Sequence, residues 1–159
     1  MQSDMKHTRH EISGISDYSL CPFDEVFLEK SFNWLQKPEI RKGMDIHFQM
    51  DQRAQREWYD NLPYRKDYVI WGFKYKDEPI GAGGFRNITS DSGELTCYIG
   101  EQNHLGGVGK VLVSLLVEKA ISMQWKAIYL KVLHDNTRAY RLYLNQGFVE
   151  YDVNVLYSA

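Results

Sequence analysis

Three glycines and a lysine carry the clearest chemical signal in the chain: Gly106, Gly107 and Gly109, with Lys110 beside them. They follow a period-two stretch in which Leu95, Cys97 and Ile99 alternate with Thr96 and Tyr98. They precede an apolar run at helical spacing, Val108, Val111, Leu112, Leu115, Leu116 and Ala120. Strand, glycine loop, helix is the predicted unit. Glycines at a helix start let the backbone approach a bound group closely, and the unpaired N–H groups there favour an anion. A magnesium-binding triphosphate loop would need a glycine at His104 and a hydroxyl at Val111. A dinucleotide fingerprint would need a glycine at Leu112. What remains is a short nest suited to a pyrophosphate without metal. The competing reading, a loop that only turns a strand into a helix, stays open on spacing alone.

A second chemical stretch runs from Lys131 to Phe148, KVLHDNTRAYRLYLNQGF. Asn136 and Tyr143 are its reactive types, although an Asn at a helix start is an ordinary cap and a lone Tyr ordinary packing. Glu94, on the strand leading to the glycine loop, is the nearest carboxylate; an exposed charge at a strand end is its alternative reading.

The elements that must position these residues follow from pattern. Residues 1–9 read as a flexible N-terminus and 10–159 as one domain. His10–Phe23 reads weakly as a strand, with Ile12, Ile15, Tyr18 and Leu20 turned inward and Pro22 closing it. Phe23–Gln36 has helical spacing with Asp24 as N-cap, and Pro38 ends it. Residues 38–50 read as an irregular connection. Asp51 caps a polar helix that runs to Leu62. Three antiparallel strands follow, Tyr68–Phe73, Ile80–Ile88 and Glu94–Gly100, with turns at 76–79 and 90–93. After the central helix come a strand over Ala127–Leu133, a helix capped by Asp135 or Asn136 that runs to about Gln146 and stops at Gly147, and one closing strand over Phe148–Tyr157. The outline is mixed α/β around a single sheet.

The 159 residues are 43% hydrophobic and 25% charged, an ordinary globular composition, and the net charge of -2 implies no general affinity for nucleic acid or anionic membrane. Two cysteines and five histidines show no metal-ligand spacing. No apolar run reaches membrane-spanning length and no signal core opens the chain, so a cytoplasmic protein is expected.

Together the two stretches resemble the GCN5-related N-acetyltransferases. That family's pyrophosphate loop, [Arg/Gln]-x-x-Gly-x-[Gly/Ala], is matched by His104-Leu105-Gly106-Gly107-Val108-Gly109, with His104 a departure at the first position. Its second motif, Asn-x-x-Ala-x-x-x-Tyr-x-x-x-Gly-Phe, is matched without departure by Asn136, Ala139, Tyr143, Gly147 and Phe148. The resemblance implies an acyl-CoA N-acyltransferase fold, a mainly antiparallel sheet flanked by helices, with acetyl-CoA as co-substrate and no metal. It implies that pantetheine amides meet backbone groups near Cys97 and Ile99. The pyrophosphate would rest on the N–H groups of Leu105, Gly106, Gly107, Val108, Gly109 and Lys110, with His104 able to donate a hydrogen bond to phosphate in a weaker charge contact than Arg, and with Asn136 beside the pantetheine. Tyr143 corresponds to the general acid. The strand position where some members carry a catalytic Glu holds Lys131, which leaves Glu94 as the candidate base. Homodimers are common in the family.

The early segments Ser31–Leu35, Pro38–Ile40 and Gln52–Tyr59 resemble the branch that acetylates nucleotide-linked amino-deoxy-sugars, which includes the enzyme of pseudaminic acid synthesis. Trp34, Phe48, Trp58 and Trp71 are candidates to stack on a base or sugar, with core packing as the rival reading; His47 and Arg86 are candidates for a phosphate. An N-terminal peptide, as in the ribosomal-protein branch, or a small polyamine is the alternative acceptor. A non-catalytic acyl-CoA-binding protein is the alternative class.

Overall fold

The computed structural model describes residues 15–101, 106–133, 135–152 and 155–158. The expected N-terminal tail, Ile12, and the loop residues His104 and Leu105 lie outside them. A short 3-10 turn at Ile15–Asp17 leads into β1 (Tyr18–Pro22), shorter than the strand expected from His10. Three helices follow: α1 (Glu25–Trp34), α2 (Pro38–Gly43) and, after a connection, α3 (Gln52–Asn61). The meander β2 (Val69–Tyr75), β3 (Glu78–Arg86) and β4 (Ser92–Ile99) precedes α4 (Val108–Ser122), β5 (Ala127–Lys131), α5 (Thr137–Asn145), β6 (Val149–Asp152) and β7 (Val155–Ser158).

The expected caps are in place. Asp24 accepts from the N–H groups of Val26 and Phe27, Asp51 from Arg53, and Asn136 from Ala139. Two boundaries differ from expectation. Pro38 opens a helix within the stretch read as irregular, since proline at N1 loses no hydrogen bond the helix would have used. Phe148–Tyr157 is not one strand but two: β6 lies at the sheet edge and the chain returns as β7 between β6 and β5. The turn formers Asp152 and Asn154 in the sequence are the signal for that reversal.

The strands form one seven-stranded sheet in the order β1-β2-β3-β4-β5-β7-β6, antiparallel everywhere except between β4 and β5. Side-chain alternation divides its faces. Phe73, Phe85, Leu95 and Leu130 pack with Val111, Leu112, Leu116 and Ala120 of α4, and Tyr140, Leu142 and Tyr143 of α5 lie against this cluster. The other face holds a smaller cluster, Phe27, Trp34 and Ile40 of α1 and α2, against which Phe23 and Tyr98 pack. Neighbours on β4 thus serve opposite faces: Leu95, Cys97 and Ile99 face α4, and Tyr98 faces α1.

Candidate active site

The sheet opens at β4. Its parallel pairing with β5 covers Ser92↔Ala127, Gly93↔Ile128 and Glu94↔Tyr129 and then stops, although β4 continues to Ile99. On its other edge β4 stays paired with β3 as far as Ile99↔Gly81. The Gly100 N–H donates to the Ile80 carbonyl at 2.7 Å, which sets the alternation of that ladder. Tyr98 and Thr96 therefore turn their main-chain groups to β3, and Cys97 and Ile99 turn theirs to the opening.

The glycine loop stands at the end of this opening. Gly107 is the N-cap of α4 with φ 91°, a left-handed conformation that a side chain would strain. Among the described residues, a Cβ placed on Gly106 would meet no atom within 4 Å. Packing therefore does not require glycine there, and the space beside the backbone is free for a ligand. That open space accommodates either reading left by spacing, a ligand cradle or a plain strand-to-helix turn. Residues 106–110 present the N-terminal end of a 15-residue helix to it. At the other side of the loop, α1 is tied to the end of β4. The Trp34 indole donates to Glu101 at 2.7 Å, Lys37 donates to the Gly100 carbonyl at 2.7 Å, and the indole lies where any side chain on residue 100 would stand.

Tyr143 and Cys97 come together across the opening. The phenol oxygen lies 3.8 Å from the Cys97 sulfur, and its ring meets Phe148 edge to face at 5.7 Å. The adjoining thiol and burial hold the phenol well above its usual 10, so it stays protonated into alkaline pH. Burial likewise pushes the Cys97 thiol up to about 11. Asn136 caps α5 with its oxygen; its amide nitrogen reaches toward Gly43 of α2, whose neighbour Lys42 pairs with Asp135 at 3.6 Å.

Glu94 is not the exposed strand-end charge that was its alternative reading. It is 8% exposed, hydrogen bonded by Arg86 and, at 3.4 Å, by Asn87, with the Lys131 ammonium 3.9 Å away. Arg86, one phosphate candidate, is thus already engaged by a carboxylate, and the other, His47, pairs with Asp45. These partners come from β3 and β5, so the burial of Glu94 had no local signal. Its side chain shares the face of Thr96 and Tyr98, roughly 7 Å along the strand from Thr96.

On that face lies a cavity of about 340 Å³, floored by Ile70, Ala82, Thr96 and Tyr98 and roofed by residues 44–51 and α3. It reaches Cys97 at the opening. Of the four aromatic candidates, Trp58 and Phe48 line it, whereas Trp34 is 2% exposed in the core and Trp71 packs edge to face on Phe85. Among the described residues its lining holds no Lys, Arg or His, and the one carboxylate among them, Asp51, is used as the cap of α3. Three polar side chains from different elements meet there: Gln55 donates to the Ser31 hydroxyl at 3.0 Å, and Ser31 adjoins Tyr98. Sequence reasoning missed Ser31 and Gln55 as a pair, because 24 residues separate them. A second, more open groove of about 620 Å³ runs along the outer sides of α1 and α3 past Glu25, Glu29 and Arg56. Among the described residues no cluster of His, Cys, Asp and Glu could hold a metal, and no helix is long and apolar enough to cross a membrane.

Comparison with solved structures finds this architecture in several acetyltransferases. A spermidine N-acetyltransferase from Vibrio cholerae, in complex with CoA and spermine, superposes with a TM-score of 0.84 at 18% identity, covering 90% of this chain and 95% of that one. The Campylobacter jejuni N-acetyltransferase PseH in complex with acetyl coenzyme A gives 0.67 at 21% identity, covering 88% and 95%. An aminoglycoside acetyltransferase in complex with coenzyme A and kanamycin gives 0.76 at 18%, covering 89% and 94%. At such identities the likeness concerns the fold and does not rank acceptors. No curated protein matches the sequence significantly. The sequence pattern of the Acetyltransferase (GNAT) family, however, matches residues 28–148, from α1 through the glycine loop to the end of α5, and the chain belongs to that family.

Proposed function

We propose that this protein is an acetyl-CoA-dependent N-acetyltransferase whose acceptor is the primary amine of a nucleotide-linked amino-deoxy-sugar. The transfer reading rests above all on Tyr143, a neutral phenol fixed across the opening from Cys97. In the reaction the amine nitrogen attacks the thioester carbonyl, a C–N bond forms and the C–S bond breaks. Tyr143 gives its proton to the departing sulfur and recovers one from solvent. The proton lost by the amine passes through water to Glu94, the buried carboxylate on the cavity's face of β4. The N–H groups of Gly106 to Lys110 hold the pyrophosphate, with residues 104 and 105 completing the motif, and the main chain at Cys97 and Ile99 meets the pantetheine amides. Asn136 stands beside that chain through its amide nitrogen. This reading puts the protein in the cytoplasm with its co-substrate.

The acceptor reading rests on the described lining of the 340 Å³ cavity, which is aromatic and aliphatic with a few polar groups to orient a ring and no free charge among the described residues. A deoxy-sugar offers such a cavity a methyl group and an apolar ring face. Arg86 and Lys131, which together exceed the charge of Glu94 by one, lie on the same side of the sheet for a nucleotide phosphate. A cationic acceptor such as a polyamine is the second reading, favoured by Glu29 in the outer groove, where Glu25 is already paired with Arg56.

Release of CoA thiol from acetyl-CoA is the test, measured with UDP- and dTDP-linked amino-deoxy-sugars, N-terminal peptides and spermidine side by side. Release with a nucleotide-sugar alone supports the proposal. Release only with spermidine or only with peptides moves the acceptor class, and acetyl-CoA binding with no release anywhere leaves a binding protein instead.

A further inference from the structure

The Cys97 side chain has no part in the machinery described so far, which uses only its main chain. Its position is nonetheless unusual. The sulfur lies on one lip of the opening and the Tyr143 phenol on the other, 3.8 Å apart, and the two elements that carry them, β4 and α5, share no backbone pairing. Tyr143 is otherwise held from behind, by Phe148 against its ring and by the Phe148 N–H donating to its carbonyl at 3.1 Å. Those contacts fix the ring but not the direction of the hydroxyl. The Cys97 Cβ packs closely on Gly83, where an added side chain would collide with it and with Leu116, and the sulfur contacts the Tyr143 oxygen at 3.8 Å.

We propose that the Cys97 thiol is a positioning residue for the reaction: it aims the Tyr143 hydroxyl into the opening, at a sulfur, before the coenzyme's own sulfur arrives. The proposal rests on the acid role assigned to Tyr143 above. A thiol and a thioester sulfur are alike in size and in being weak hydrogen-bond acceptors. The phenol therefore passes from one sulfur to the other with little reorganisation, which is the condition under which a preplaced donor accelerates a step. Cys97 neither gives nor takes a proton in this scheme. It acts through Tyr143 alone.

That dependence makes the inference testable by a double-mutant cycle. CoA thiol release is followed with UDP-linked amino-deoxy-sugar, peptide and spermidine acceptors in parallel, for the parent, Cys97→Ala, Tyr143→Phe and the double variant. Cys97→Ser accompanies them as the nearest isostere, because its smaller oxygen on a shorter bond withdraws the partner from the phenol while leaving less of a void than alanine. One modest hydrogen-bonding contact corresponds to about three- to tenfold in rate. The expected result is a fall of about that size in kcat for both Cys97 variants, with KM for acetyl-CoA within about twofold of the parent. In the Tyr143→Phe background the Cys97 substitution should then change nothing further. Unchanged kcat in both Cys97 variants overturns the inference while leaving the acid reading intact, provided that Tyr143→Phe is slow. Independent, multiplicative losses in the double variant also overturn it, because Cys97 would then act by another route. A Tyr143→Phe enzyme as fast as the parent removes the acid role and the inference together, and so does a folded parent that releases no thiol with any of the three.

Discussion

Replacing Glu94 by Gln separates two consequences of a single buried carboxylate. The side chain is 10% exposed and lies between cations that are 49% and 64% exposed, Arg86 and Lys131. Breaking one side of a fully buried ion pair costs about 3–5 kcal/mol. Here the cations left behind can return to water, so the loss falls to about that of one charge-assisted hydrogen bond, about 1.5–3 kcal/mol. For a chain of this length that corresponds to a fall of about 3–12 °C in Tm. The amide keeps the shape of the carboxylate and can still accept from Arg86, so the strand opening at Glu94↔Tyr129 should persist. The second consequence is kinetic: with the proton acceptor gone, kcat should fall about a hundredfold, the lower end for a general base that works through water. Circular dichroism melts give the first number and CoA thiol release across the neutral pH range gives the second. A variant that melts early but turns over at the parent rate at every pH would falsify the base role and leave Glu94 as an anchor of the three strands. A variant with an unchanged Tm would refute the reasoning about the ion cluster itself.

Four other outcomes are expected. Tyr143→Phe should lower kcat far more than it changes acetyl-CoA affinity, by about a hundredfold or more if the phenol is the acid, as paired kinetics and calorimetry would show. Gly106→Val should leave Tm near the parent value, since among the described residues no atom lies within 4 Å of a Cβ there, and should weaken acetyl-CoA binding in calorimetry; intact binding would remove the cradle. Asp24→Ala deprives Val26 and Phe27 of their cap acceptor and should cost about 1 kcal/mol in urea unfolding, with kcat unaffected. Burial holds the Cys97 thiol at about 11 when folded against its usual 9, so above 9 the unfolded chain loses its proton first. Stability contributed at lower pH should therefore drain away as pH climbs from 9 toward 11, and the urea midpoint of Cys97→Ala should fall less steeply over that interval.

Much of the site was legible because its signals are local. Asn136 caps its own helix, Gly107 needs its own positive φ, and Asp24 and Asp51 bond N–H groups two or three residues ahead. Such features depend on a few consecutive residues and so survive reading in one dimension. What escaped was set by distant chain. Glu94 reads as an exposed charge until β3 and β5 bring Arg86 and Lys131 to it. Pro38 has the same composition whether it ends one helix or begins the next, and only the packing of Ile40 beside Trp34 decides. The last strand divides in two because β5 takes β7 as its antiparallel neighbour, a pairing no window along the sequence contains. The cavity is the extreme case, since its floor comes from β2, β3 and β4 and its roof from residues 44–51 and α3.

The most direct measurement of the central claim is mass spectrometry of a UDP-linked amino-deoxy-sugar after incubation with acetyl-CoA and this protein, beside the Tyr143→Phe variant. The account predicts one acetyl group on the sugar nitrogen for each CoA thiol released by the parent, and a much slower appearance of both with the variant. A sugar that stays unmodified while acetyl-CoA binds, or an acetylation rate that ignores the loss of the Tyr143 hydroxyl, would contradict it.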